Sequence, residues 1–158
     1  VQGTAVSEIE QVIEQVIEQA NESQTIAVRT EFDILVARRQ ARKMAQAIGL
    51  DITSQARIAL ATSSLGRTLR LGETFQGQVN IDCLSGGERA GIRVICTAVD
   101  GANSDLTSRT FADTRRLVDE LTVEELPPND LQVTMIKWIT PSNFLKASRS
   151  EERSVAGD

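Results

Sequence analysis

The chain has 158 residues, 41% of them hydrophobic and 25% charged, with a formal net charge of −5. That length buries one core rather than two, and the acidic balance without a Lys/Arg-rich block argues against a nucleic-acid partner, which needs cations along a row of phosphates. There is no histidine, which removes the usual general base, the usual zinc ligand and every Ser-His or Cys-His nucleophile pair.

The first segment, TAVSEIEQVIEQVIEQANES, places Val6, Ile9, Ile13, Val16 and Ala20 three and four apart, with Val12 and Ile17 widening the stripe. This pattern predicts an amphipathic helix over residues 1–24 whose apolar face must be covered by its own domain, by a second copy as a homodimer, or by a partner helix. TIAVRT, 25–30, alternates as a short strand. Thr30 and Asp33 then mark the start of a helix whose apolar face is read as Phe32, Leu35, Val36, Met44 and Ile48 and whose stop is Gly49. Arg38, Arg39, Arg42 and Lys43 fall on the other side, as a solvated face or a surface for an acidic partner.

A second helix is predicted from about Ser54, with Ile58, Ala61, Leu65 and Leu69 inward. QVNIDCL and GIRVICTAV read as strands joined by the turn SGGER. SRTFADTRRLVDELTV predicts a third helix with Phe111, Leu117 and Leu121 inward; EELPPND reads as a turn, since tandem prolines cannot continue a helix, and DLQVTMIKWI as a closing strand. Cys83 and Cys96 lie in the strands without CxxC spacing and read as buried free thiols. The order strand, helix, helix, strand, strand, helix, strand predicts an α/β fold: a two-layer sandwich of a mixed, mostly antiparallel sheet with helices on one face, plus the N-terminal amphipathic helix. The domain spans 25–141, followed by a polar tail over 142–158. No stretch of eighteen apolar residues exists and the N-terminus lacks a signal-peptide layout, so no membrane contact and a cytoplasmic location are expected. The chain begins at Val, as a fragment or a trimmed chain would.

Four phrases occur in an order that resembles one family: VRTEFDILVARRQARKMAQAIGL, SQARIALATSSLGR, TRRLVDEL and LQVTMIKWI. They resemble the serine/threonine switch kinases of bacterial stress and sporulation signalling, which have the histidine-kinase-like ATPase (Bergerat, GHKL) fold and include the stressosome kinases and anti-sigma regulatory factors. The likeness runs over about residues 25 to 140. It implies Mg-ATP as cofactor, an anti-sigma-antagonist-type scaffold or the regulatory region of a PP2C-type phosphatase as protein partner, and three working parts. In the family a Glu and, four residues on, an Asn face the nucleotide; here Ser64 and Thr68 stand in those places. A serine hydroxyl is no base near neutral pH, and threonine is a poorer magnesium ligand than an amide carbonyl. The family's adenine-reading Asp falls on Ala98, with Asp100 and Ala102 in the glycine places; shifting by two puts Asp100 in the adenine place, with Ala102 and Ser104 in the glycine places. The family's Gly-rich lid has no counterpart, for no glycine occurs between Gly101 and Gly157.

These departures imply a non-catalytic, pseudokinase-like interaction domain with no catalytic, cofactor or metal residues. The small residues Ala61, Thr62, Ser63, Ser64 and Gly66 let the old catalytic face collapse inward or take up another ligand. The alternative is a divergent ATP-dependent serine/threonine kinase using Asp100 for adenine and Asp105 or Asp113 for the metal. A third reading makes the chain a scaffold segment that associates through its first helix.

Overall fold

The computed structural model describes residues 23–86 and 89–139. The predicted N-terminal helix, all but its last two residues, and the polar tail lie outside the described residues, as do the two residues joining the central strands. Five strands, β1 (Gln24–Val28), β2 (Gly77–Gly86), β3 (Arg89–Ala98), β4 (Glu120–Leu126) and β5 (Asp130–Trp138), form one sheet in the order β1-β2-β3-β5-β4. Every neighbouring pair is antiparallel. Two long helices, α1 (Glu31–Ala47) and α2 (Ile52–Thr68), and a single turn of helix, α3 (Ala112–Arg115), complete the two-layer α/β sandwich. Among the described residues no helix is long and apolar enough to cross a membrane.

Strand alternation builds the core. Val79 and Ile81 of β2, Ile92, Val94, Cys96 and Ala98 of β3, and Leu131, Val133 and Met135 of β5 are all fully buried, as period-two placement on one covered face requires. α2 supplies Ile58, Ala61, Leu65 and Leu69, also fully buried, at the predicted positions. It starts two residues earlier than predicted because Asp51 caps it, its Oδ1 accepting the Ser54 N–H at 3.2 Å. At the start of α1 the Asp33 carboxylate reaches back to the N–H groups of Thr30 (3.1 Å) and Arg29 (2.9 Å).

Three predicted features are corrected. The buried stripe of α1 is Ile34, Ala37, Ala41, Met44 and Ala45, while Phe32 and Leu35 are 69% and 54% exposed. The sequence carries two stripes, and the alanine-rich one wins because it lets the helices approach closely. At the crossing Gly66 faces Ile34, where a Cβ would fall 2.6 Å from Ile34 Cδ1. The predicted third helix over 108–123 is only the four residues of α3, and Glu120–Leu126 is an edge strand. Leu121 does point inward, but because it pairs with Met135 across the ladder. The turn in EELPPND narrows to residues 127–129, with a cis Pro127–Pro128 bond, because the two glutamates and Leu126 belong to β4.

Cys96 is fully buried and desolvation pushes its thiol up to about 12; burial and the nearby Asp82 raise Cys83 as well. Both are thiols near neutral pH, so both react below the rate of an ordinary cysteine. Timed alkylation at pH 8 should modify Cys83 slowly and Cys96 only after unfolding; fast labelling of Cys96 in the folded chain would contradict its place in the core.

Candidate functional site

The site to examine is the C-terminal half of α2 and the segment that crosses it after β3. Four hydroxyls sit on that part of the helix, and a buried hydroxyl needs a partner. Thr62 Oγ1 donates to the Ile58 carbonyl at 2.8 Å, Ser63 Oγ to Leu60 at 3.1 Å and Thr68 Oγ1 to Ser64 at 3.0 Å. Each is a bond back onto the helix's own carbonyls. Ser64 differs: its Oγ lies 2.9 Å from Thr114 Oγ1, a contact spanning fifty positions that either hydroxyl can donate to. Thr114 is 1% exposed, so the pair closes α3 onto α2.

Ala98, at the end of β3, is fully buried. The chain turns there through Asp100, which is exposed at φ 63 and whose N–H donates to Asp130 Oδ1 at 3.1 Å. Gly101 follows, and a Cβ on it would fall 2.9 Å from Ala98 Cβ, 3.1 Å from Leu131 Cβ and 3.4 Å from Leu106 Cδ1. Only a glycine allows this close approach, and Ala98, Gly101, Leu106 and Leu131 make one packed cluster. Two single 3-10 turns, Gly101–Asn103 and Asp105–Ser108, carry the segment on. Ala102 donates its N–H to the Asn129 carbonyl at 2.9 Å, and Ser104 Oγ accepts the Leu106 N–H at 3.1 Å. Leu106 and Phe111, both buried, hold the crossing segment against the core.

Beside this closed seam an open cavity of about 390 Å³ is lined by Thr68, Ser108, Arg109, Thr110, Asp113 and Thr114, with Phe111 and Ala112 between them. Arg109 Nε is buried with no hydrogen-bond partner among the described residues. The other end of that guanidinium lies 3.7 Å from Asp105, which also meets Arg70 at 3.5 Å. Asp105 is 64% exposed, so these pairs contribute little stability. The structure thus brings Thr68 and Asp113 to the cavity, keeps Ser64 in the seam against Thr114, leaves Asp105 in surface ion pairs, and puts Asp100 in the β3 turn beside Asp130. Among the described residues no three His, Cys, Asp or Glu side chains are grouped as a metal site would need. No sequence pattern singles out Thr114, Leu106 or Arg109; their weight comes from contacts across the fold.

Because Ser64 and Thr114 satisfy each other, removing one hydroxyl strands its partner. Ser64→Ala and Thr114→Ala are each expected to cost about 1 kcal/mol, and the double variant less than their sum by about 0.5 kcal/mol or more. Urea unfolding of the four proteins measures this; strict additivity would mean the two hydroxyls do not meet.

No family model matches the chain. It is 26% identical over 132 residues, 75% of this chain and 98% of the relative, to "Serine/threonine-protein kinase RsbT" of Bacillus subtilis (strain 168). A likeness that runs across nearly the whole of that kinase supports a relationship between this chain and the RsbT-like switch kinases.

Proposed function

We propose that this chain is a switch-kinase-like regulatory domain of bacterial stress or anti-sigma signalling that acts by binding proteins rather than by transferring phosphate. The observation that carries this reading is the Ser64 to Thr114 hydroxyl contact of 2.9 Å. In the family resemblance a carboxylate stands at position 64 to orient or deprotonate the attacking hydroxyl. Here a neutral group occupies the place and is tied to α3. Thr68 points its proton at a helix carbonyl, and the methyl of Ala98 is packed with Leu106 where an adenine-reading carboxylate would stand. Those residues do not fit Mg-ATP. Loss of such a pocket leaves binding possible, because a protein interface rests on shape and a few anchors. The partner classes that the resemblance suggests are an anti-sigma-antagonist-type scaffold and the regulatory region of a PP2C-type phosphatase.

The second reading, a divergent ATP-dependent kinase acting on an anti-sigma-antagonist-type protein, draws on the cavity that holds Thr68, Arg109 and Asp113. Calorimetry separates the two. With Mg-ATP raised to millimolar concentration, heat of dilution alone is expected; a saturable isotherm would replace the first reading with the second.

A further inference from the structure

The solvent side of the two long helices is the least explained surface of the molecule. Six large hydrophobic residues are exposed among those described, and four belong to it: Phe32 (69%), Leu35 (54%), Ile52 (76%) and Leu60 (44%). On α1, positions 32, 35, 39 and 42 share one stripe; on α2, positions 52, 56, 60, 63 and 67 share another. Where Ile34 meets Gly66, a cavity of about 460 Å³ opens between the helices, walled by Phe32, Leu35 and Leu71 and rimmed by Arg67 and Arg70 together with Glu31 and Glu73. Around these apolar groups stand Arg38, Arg39, Arg42, Lys43, Arg57 and Arg67, all exposed. None of the six is in an ion pair among the described residues. Glu31 and Glu73 lie at one cavity rim, but cations outnumber them on this face, and an apolar floor with a mainly cationic border calls for an amphipathic, acidic occupant.

The sequence contains one. The first 22 residues hold Glu8, Glu10, Glu14, Glu18 and Glu22 and no Lys or Arg, so they account for the whole net charge of −5. Between these glutamates runs the stripe of Val6, Ile9, Ile13, Val16 and Ala20. The segment also joins the fold in the right place. It enters β1 at Gln24, and α1 folds back after the two-residue turn Arg29–Thr30, so the far end of α1, with Lys43, returns toward the start of β1. Residues 4–20, if helical, would be about as long as α1, roughly 25 Å at 1.5 Å per residue. By strand alternation the opposite face of the sheet carries Ile95, Ile136 and Trp138 with Arg89 and Arg93 among Asp82, Glu120 and Glu124, and Asp82 already pairs with Arg93, so it offers acidic residues fewer free cations than the helix face does.

We propose that residues 4–20 dock within their own chain on the solvent face of α1 and α2, with the Val/Ile stripe over Phe32, Leu35 and Leu60 and the glutamates against the arginine border. The contact stands whether or not the chain transfers phosphate.

Carbodiimide cross-linking of the full chain at low salt tests this, using a mixture of light and heavy-isotope protein. The expected product joins Lys43 to a glutamate of the first 22 residues, with both halves from one isotope. Leu35→Asp and Leu60→Asp change exposed positions and should keep the fold, checked by circular dichroism, while lowering that yield about tenfold by removing apolar contact. Hydrogen exchange of residues 4–20 should quicken in the same variants. A Lys43 link no stronger than in the urea-unfolded chain, or exchange unchanged by both substitutions, overturns the proposal. Mixed-isotope links also overturn it, by placing a second copy's segment on this face.

Discussion

Gly77→Val is expected to cost about 4 kcal/mol or more and to leave little folded protein at ordinary temperature. A Cβ at this position would lie 1.9 Å from the Thr97 carbonyl oxygen and 3.0 Å from Leu71 Cδ2. The carbonyl cannot step aside, because Gly77 is paired with Val28 on one side and with Ala98 on the other. Relief therefore means shifting the end of β3, and with it Ala98 and the crossing segment that Leu106 and Thr114 fasten to the core. Gly49→Ala is the control: Gly49 has φ +92 and nothing within 4 Å of its would-be Cβ. Only conformational strain, about 1 kcal/mol, is expected there. Urea unfolding of both variants decides the matter, and equal midpoints would show that close approach is not what position 77 demands.

The second large effect belongs to Asp119. Lys137 sits on the helix side of β5 at 7% exposure, with its Nζ 3.2 Å from Asp119 Oδ1, and the other carboxylate oxygen accepts the Trp138 N–H at 2.7 Å. Asp119→Ala leaves a buried ammonium with only the more distant Asp51 carboxylate to offset it, at a cost of about 3 kcal/mol. Adding Lys137→Met should recover most of that loss, because the uncompensated charge is gone. The Trp138 N–H still lacks its acceptor, so about 1 kcal/mol should remain. A double-mutant cycle followed by thermal unfolding measures the coupling. If Asp119→Ala alone cost under about 1 kcal/mol, Lys137 would have to be drawing its stabilisation from water.

Both predictions concern pieces that hold the candidate site in place rather than line it. β3 ends at Ala98, β5 carries Lys137, and the chain between β3 and β4 holds Leu106, Arg109, Phe111 and Thr114. Whatever the site does, it needs this frame, because the order of surface side chains is only as good as that of the sheet beneath them. Thr110 and Asp113 line the cavity at exposed positions, so substitutions there leave that frame intact.

The sequence by itself determined the two-layer class, four strands read at 25–30, 78–84, 91–99 and 130–139 that the structure places at 24–28, 77–86, 89–98 and 130–138, and both long helices. Their apolar periods and end signals are local, and local spacing suffices for them. It also determined the inward set of α2, where Ile58, Ala61, Leu65 and Leu69 make a longer apolar run than the stripe of Ile52 and Leu60. Tertiary structure alone decided the rest. TRRLVDEL has leucines at a spacing that suits a helix and an inward strand residue alike, and pairing with β5 made it strand from Glu120. α1 offers two stripes, and contact between Gly66 and Ile34 selected the alanine one, leaving Phe32 and Leu35 outside. The Ser and Thr run in α2 is visible in the sequence, but the partner of Ser64 lies fifty positions away. Spacing along a chain fixes which side chains share a face; which face is covered, and by what, depends on contacts that form only when distant segments meet.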